Sequence, residues 1–142
     1  MITNFSEITD TKKLIDIAKN NLKREKKKFS NNVKMWIMVE VHSCAVLANR
    51  FAQQVDFFSI GTNDLVQYTL AIDRVDDEVN YLYDPINSAV LNLIKIVIDA
   101  GTNNKIPVSL CGEMVGDSNS TRLLLGLCMQ SLSIHLTQNP NI

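Results

Sequence analysis

DFFSIGTNDLVQYTLAIDR, residues 56–74, is the stretch from which the fold can be inferred most directly. Its first part, the apolar run from Phe57 to Ile60, has the length and composition of a β-strand. Gly61 ends the run, as a glycine does where the backbone turns tightly. Asn63 and Asp64 follow and are poor strand formers. We therefore expect them just past the strand end, in a loop or at the N-cap of the short helix that the rest of the stretch predicts.

The polar side chains of this stretch are suited to binding a phosphorylated anion together with a metal ion. Asp64 offers the hard oxygen that Mg²⁺ prefers, and Arg74 can form forked hydrogen bonds to phosphate. Asn63 adds an amide beside the carboxylate. A purely structural explanation is also open, since Asp64 can cap a helix and Arg74 can pair at the surface with an acidic neighbour, Asp76 or Asp77.

Strands and helices alternate along the rest of the chain. Apolar periodicity predicts helices over residues 4–29, 43–53, 87–102 and 118–127, and strands over 35–41, 107–111 and 132–136. We expect the apolar strand 35–41 to be buried on both faces, as in a parallel sheet. Such alternation indicates parallel βα units. Glu40, Asn63, Asp64 and Cys111 then follow or end strands, where (β/α)₈ barrels carry their active sites.

Four separated motifs of the chain resemble those of one enzyme family. They are MVE (38–40), the stretch 56–74, YDPINSAVLNLIKIVIDA (83–100) and LCGEM (110–114). In this order and spacing they resemble the phosphoenolpyruvate-binding domain of the phosphoenolpyruvate–protein phosphotransferases, enzyme I of the bacterial sugar phosphotransferase system. Pyruvate phosphate dikinase and phosphoenolpyruvate synthase share GTNDL and CGE, but the run YTLAIDR (68–74) favours the phosphotransferases.

The resemblance implies an α/β fold that is part of a (β/α)₈ TIM barrel. It extends from about residue 1 to about residue 132 and corresponds to strands five to eight with their helices. We therefore expect residues 1–142 to be one partial phosphoenolpyruvate-binding domain. A complete barrel needs about 250 residues, so the first barrel half is expected to be missing. The family's domain with the phosphorylated histidine is expected to be missing as well.

The resemblance also implies roles for five residues. Glu40 and Asp64 would be the two protein ligands of Mg²⁺, while Asn63, Asp64 and Arg74 would bind phosphoenolpyruvate. Cys111 would protonate the enolate of pyruvate at its methylene carbon, and a cysteine thiol is mostly protonated near neutral pH. Without the family, Glu40 would be read as a solvated strand-end carboxylate and Cys111 as a small buried hydrophobe.

The implied reaction is transfer of the phosphoryl group of phosphoenolpyruvate to a protein histidine, the step that starts sugar uptake. The family's next partner is the histidine phosphocarrier protein. We expect the chain to be inactive alone and to associate with the missing barrel half or with a second copy. Two alternatives stay open: a fragment of the dikinase or synthase, and a non-catalytic remnant or interaction module.

The family's loop motif leads us to expect that Glu113 orders the loop after Cys111.

Some segments depart from the family's pattern. The departure is largest in CMQSLSIH, residues 128–135, at the predicted last strand. Neither His42 nor His135 lies in a motif like the family's phosphohistidine segment. We therefore expect both histidines to be non-catalytic.

Composition excludes several classes of function. Lys and Arg number 14 against 15 Asp and Glu, a net charge of −1, which argues against nucleic acid as a partner. No apolar run reaches membrane-spanning length, and the first residues do not resemble a signal peptide, so no membrane insertion is expected. The three cysteines are an odd number without a CxxC pair, which favours a reducing cytoplasm, and the resemblance implies a bacterial one.

Overall fold

The structure, a computed structural model, describes residues 1–134 of the chain. Four parallel strands form one sheet in the order β1-β2-β3-β4. The strands are β1 (Trp36–Val39), β2 (Phe57–Gly61), β3 (Val108–Cys111) and β4 (Ser131–Ser133). Because neighbours in the sheet are also neighbours in the sequence and helices lie between them, the prediction of a partial (β/α)₈ barrel is confirmed.

Six α-helices occur in the described residues. They are α1 (Phe5–Arg24), α2 (His42–Val46), α3 (Ala48–Phe51), α4 (Thr62–Leu70), α5 (Ser88–Asn104) and α6 (Ser118–Gly126). Two 3₁₀ turns lie at Asn80–Leu82 and Glu113–Gly116. No helix among the described residues is both long and apolar enough to cross a membrane.

Side-chain caps set where the long helices begin. Asn4 accepts a hydrogen bond from the backbone of Ser6, and the Glu7 side chain accepts one from the backbone of Asn4, forming a capping box for α1. Asn87 and Asp117 cap α5 and α6 without such a box, each accepting one hydrogen bond from a backbone N–H of its helix.

Two predicted helices are shorter or divided. The predicted helix 4–29 ends at Arg24, because Lys26 adopts a left-handed backbone conformation with φ of 53°. The predicted helix 43–53 is divided into α2 and α3 at Leu47, whose φ of −95° and ψ of 10° interrupt the helical hydrogen bonding.

The prediction that strand 35–41 is buried on both faces is wrong. Ile37 and Val39 are buried, whereas Met38 is half-buried and Trp36 is 45% exposed. Burial therefore alternates along β1 as on a sheet with one covered face. The physical reason is that, within residues 1–134, the helices pack against one side of the four-stranded sheet and leave the other side less covered.

The hydrophobic core lies between the covered sheet face and the helices. Fully buried side chains from the strands meet fully buried side chains from α3, α4 and α5: Val39, Phe58, Ile60 and Leu110 on the sheet, and Phe51, Leu65, Val90, Ile94 and Val97 on the helices. Burial of each such side chain contributes about 1.5–3 kcal/mol. This core fixes the positions of the strands and therefore of the site residues at their ends.

The predicted last strand is only partly described. β4 comprises Ser131–Ser133 and pairs with β3. Residues 135 and 136 of the predicted strand, including His135, lie outside the described residues.

Candidate functional site

The carboxyl ends of β1, β2 and β3 bring Glu40, Gly61 and Cys111 into one row across the sheet. Val39 pairs with Ile60, so Glu40 follows beside Gly61, and Gly61 pairs directly with Cys111. The sequence analysis predicted that Glu40 and Cys111 lie at the ends of parallel strands, and the structure places both there. One metal-ligand candidate and the predicted proton donor therefore lie at the same level of the sheet.

Glu40 occupies the space above Gly61. A Cβ added at Gly61 would lie 2.7 Å from Cγ and 3.0 Å from Oε1 of Glu40. The absence of a side chain at this position lets the Glu40 carboxyl group reach over the end of β2, where α4 begins. The side chain of Glu40 is only 17% exposed, and its Oε2 lies 3.4 Å from the α-amino nitrogen of Met1.

Asn63 and Asp64 lie in the first turn of α4. The helix begins at Thr62, directly after the strand, and Gly61 is its N-cap residue. The alternative that Asp64 acts as the N-cap is therefore wrong. Asp64 is half-buried, and its carboxylate near the helix N-terminus is favoured by the helix dipole.

Asn63 is bound to Glu113 through both ends of its amide. The backbone N–H of Glu113 donates to Asn63 Oδ1 at 3.0 Å, and Asn63 Nδ2 donates to Glu113 Oε1 at 3.5 Å. Arg74 Nη1 approaches the same Glu113 Oε1 at 3.9 Å. The structure thus brings together two predicted phosphoryl-binding side chains, separated by a carboxylate that contacts both.

Gly112 locks the loop after β3 against the start of α4. Its φ of 120° and ψ of 178° are open almost only to glycine. A Cβ here would overlap Thr62 Oγ1 and lie 2.9 Å from Asn63 Oδ1. Thr62 Oγ1 also donates to the carbonyl of Cys111 at 3.0 Å. The segment that carries the thiol and the helix turn that carries Asn63 are therefore fitted to each other.

The Cys111 thiol lies on the uncovered face of the sheet. Sγ is 3.5 Å from the carbonyl oxygen of Ile60, 3.8 Å from Ser59 Oγ and 3.9 Å from Met38 Sδ. The residue is half-buried and is not in a disulfide. Cys111 is therefore not simply a buried hydrophobe, since its thiol has polar neighbours and partial access to solvent.

A cavity beside these residues includes one side chain that the sequence analysis missed. Its volume is about 490 Å³, and its lining is Arg74, Val75, Asn80, Tyr83 and Glu113. Burial raises the pKa of Tyr83, and the negative charge of Glu113 raises it further. The available signal was that Tyr83 is the first residue of the third family motif, at 83–100.

The predicted metal ligands fit Mg²⁺ by their chemistry and number. Within residues 1–134, no group of three or more His, Cys, Asp or Glu side chains is arranged to hold a metal ion. Mg²⁺ is commonly bound by only one or two carboxylates and completes its shell with substrate and water oxygens. The pair of Glu40, just after β1, and Asp64, in the first turn of the helix that follows β2, meets that need and would not form a closed structural zinc site.

Comparison with known proteins identifies relatives. The family described as PEP-utilising enzyme, PEP-binding domain, matches residues 1–142. The phosphoenolpyruvate-protein phosphotransferase of Staphylococcus carnosus (strain TM300) is 45% identical over 137 residues, which is 96% of this chain. The protein of the same name from Enterococcus faecalis (strain ATCC 700802 / V583) is 43% identical over the same length. The chain spans about a quarter of these relatives, with 24% of each covered.

A solved structure shares the fold. The HpcH/Hpal aldolase/citrate lyase family protein from Burkholderia cenocepacia J2315 superposes with a TM-score of 0.56 at 18% sequence identity. The match covers 72% of this chain and 35% of that chain. It supports the partial barrel architecture described above.

Proposed function

The chain belongs to the family of PEP-utilising enzymes, and we propose that residues 1–142 form one partial phosphoenolpyruvate-binding domain of a phosphoenolpyruvate–protein phosphotransferase. The names of the relatives favour this enzyme over a dikinase or synthase. The proposed reaction transfers the phosphoryl group of phosphoenolpyruvate to a protein histidine and so begins sugar uptake.

One observation carries the proposal. The amide of Asn63 and the guanidinium of Arg74 converge on a single anionic oxygen, Oε1 of Glu113, at 3.5 and 3.9 Å. Donors that converge on a carboxylate oxygen can converge equally on a phosphoryl oxygen, which carries a similar charge. Phosphoryl transfer depends mainly on such positioning and charge stabilisation.

Cys111 is proposed to protonate the second product, the enolate of pyruvate. Departure of the phosphoryl group leaves the enolate of pyruvate. The S–H bond of Cys111 breaks, its proton forms the new C–H bond at the methylene carbon, and the electron pair stays on sulfur as a thiolate. Solvent then returns a proton to the thiolate. The half-buried position of the thiol on the uncovered sheet face supports this role, since a substrate can approach it from that side.

Glu40 and Asp64 are proposed to hold Mg²⁺, which when bound supplies positive charge to the phosphoryl oxygens. The test is calorimetric titration of Mg²⁺ with Glu40→Gln and Asp64→Asn. Each variant removes one charged ligand oxygen, so we expect both to weaken binding. Glu78→Gln is the matched control, because Glu78 is an exposed acidic residue outside the row of strand ends. Unchanged Mg²⁺ affinity in both ligand variants would rule out the assignment.

The acceptor histidine is proposed to lie in another part of a longer protein, with the histidine phosphocarrier protein as the next partner.

The uncovered sheet face is proposed to pair with the remaining barrel half or with a second copy. The stacked rings of the exposed Trp36 and the half-buried Phe57, with centroids 5.6 Å apart, support this because they give that face an apolar surface that a partner could cover. Sedimentation analysis of the isolated chain tests it, since a stable monomer at micromolar concentration would oppose this association.

The decisive experiment on function is a chimera. The matched 137-residue segment of the S. carnosus relative is replaced by this chain, and labelled phosphoenolpyruvate is added with Mg²⁺. We expect label on a histidine of the chimera, and none when Arg74→Ala is introduced without loss of folding. A folded chimera that takes no label, beside an active S. carnosus enzyme, would instead favour a non-catalytic interaction module.

A further inference from the structure

We propose that Glu113 is a positioning residue, a resident anion that holds Asn63 and Arg74 in the anion-binding arrangement and releases both when a phosphoryl group binds. The inference rests on the proposed function and adds a step to it. Binding becomes an exchange, in which one anion of the protein is replaced by one anion of the substrate.

The first argument is the shared contact. Glu113 Oε1 is the atom that both donors approach, from α4 on one side and from the loop after α4 on the other. Without an anion at this point, the long side chain of Arg74 would lose rotamer freedom whenever substrate bound. The Glu113 carboxylate already holds the guanidinium at this point, so an incoming anion finds Arg74 in place and must displace the carboxylate to bind.

The second argument is that the carboxylate is free to leave while the backbone stays. The Glu113 side chain is 74% exposed, and that of Arg74 is 36% exposed. An ion pair with this exposure is weak, so a dianionic phosphoryl group can compete with it. The backbone N–H of Glu113 is nevertheless bound to Asn63 Oδ1 at 3.0 Å. That bond fixes which end of the amide is oxygen, and Nδ2 remains directed at the anion after the carboxylate moves.

The third argument is the connection to the proton donor. Glu113 lies two residues after Cys111, across Gly112, which is packed against Thr62 and Asn63. Exchange of the anion therefore takes place in the loop that carries the thiol. The Asn63 contact keeps this loop seated during the exchange, so the thiol does not move away when phosphate binds.

Tyr83 provides a spectroscopic reporter of the Glu113 charge. It lines the same cavity as Arg74 and Glu113. Burial is the main cause of its raised pKa, and the Glu113 carboxylate is the next. Removing that negative charge makes loss of the phenolic proton easier, so the Tyr83 pKa falls.

The experiment uses the 142-residue chain and inorganic phosphate as the probe. Phosphate is titrated while the NMR resonances of the Asn63 side-chain amide and the Arg74 Nε–H are followed. Glu113→Gln keeps an acceptor for Asn63 but removes the competing charge. We expect its phosphate midpoint to fall by about two- to fivefold, the range that loss of an exposed ion pair predicts. Glu78→Gln is the control and leaves the midpoint unchanged.

A second measurement is independent of any ligand. In a background with Tyr68→Phe and Tyr81→Phe, ultraviolet titration reports Tyr83 alone, and Glu113→Gln lowers its pKa while Glu78→Gln does not. A phosphate midpoint that is unchanged or higher in Glu113→Gln overturns the proposal. The proposal is also overturned if phosphate shifts neither resonance in either protein, or if the Tyr83 pKa is the same with and without Glu113→Gln. Failure of the proposed function appears separately, as a folded chimera that takes no label.

Discussion

The side chain of Glu40 lies directly over the Cα of Gly61, in the space that a side chain at position 61 would occupy. A Cβ at Gly61 would come within 2.7 Å of Glu40 Cγ. The two residues stand side by side at the ends of adjacent strands, β1 and β2. The glycine therefore serves the placement of a carboxylate, and not an unusual backbone conformation, because its φ of −91° is open to any residue.

Replacing Gly61 with alanine should displace Glu40 and weaken Mg²⁺ binding. The overlapping atoms belong to a flexible side chain, so we expect the chain to stay folded while the carboxylate moves. Mg²⁺ affinity in the presence of phosphoenolpyruvate should fall by about tenfold, as when the support of a ligand is lost. Gly126→Ala is the control, because a Cβ there meets nothing within 4 Å. Calorimetric titration of both variants checks the prediction, which equal affinities would contradict.

Gly112→Ala should damage the fold itself. With φ of 120°, alanine would be strained by about 1–3 kcal/mol. Its Cβ would also press on Asn63 Oδ1, at 2.9 Å, and overlap Thr62 Oγ1. We expect a clear loss in the free energy of unfolding by urea denaturation, and weakened contact between Asn63 and the loop. A variant as stable as Gly126→Ala would show that the loop can relax without cost.

Cys111→Ser in the chimera should separate the two halves of the reaction. A hydroxyl is a far weaker acid than a thiol, and general acid catalysis contributes about 10²–10⁴-fold. We expect pyruvate formation to slow by at least about 10²-fold, with a smaller effect on phosphoryl transfer to histidine. A lactate dehydrogenase assay measures pyruvate, and acid-labile label on protein measures transfer. Cys128→Ser, an exposed cysteine away from the strand ends, should leave both rates unchanged.

Asp56 should stabilise the fold at neutral pH and lose this effect in acid. The Lys34 side chain, at 2.8 Å, holds the pKa of Asp56 below its ordinary value, and the backbone N–H of Met35 lowers it further. Because the folded-state pKa is below the unfolded one, the stabilisation is full above the unfolded pKa of about 3.9 and disappears as pH falls through the folded value.

The measurement for Asp56 is urea denaturation at pH 7, 5 and 3. Asp56→Asn should be less stable than the unchanged chain at pH 7, and the difference should shrink at pH 3. Lys34→Met should lose only part of the stability, since Met35 N–H still donates to the carboxylate. A difference that is constant across this pH range would show that Asp56 acts through packing and not through its charge.

Cys44 should resist alkylation in the native state. Burial raises the pKa of its thiol to about 12, so almost none is thiolate at pH 8.5. Iodoacetamide followed by mass spectrometry should label the exposed Cys128 first and Cys44 only after unfolding. Native labelling of Cys44 at the rate of Cys128 would mean that α2 opens readily.

The motifs and the apolar periodicity determined most of the architecture. Four strands and their intervening helices lie close to their predicted positions because such periodicity is a local property of the chain. The order of βα units brings strand ends together, so Glu40, Asp64 and Cys111 could be assigned to one edge of the sheet before their geometry was known. The roles of these residues remain predictions.

The tertiary structure decided what depends on contacts between distant segments. Asn63 and Glu113 are 50 residues apart, and their double hydrogen bond needs both the strand register and the glycine conformation at residue 112. Tyr83 entered the site through the folding of an irregular loop, for which no periodicity exists. The exposed face of β1 was mispredicted for a related reason. An apolar run indicates that a strand is suited to burial. Which of its faces is covered depends on the elements that pack against it in the folded protein.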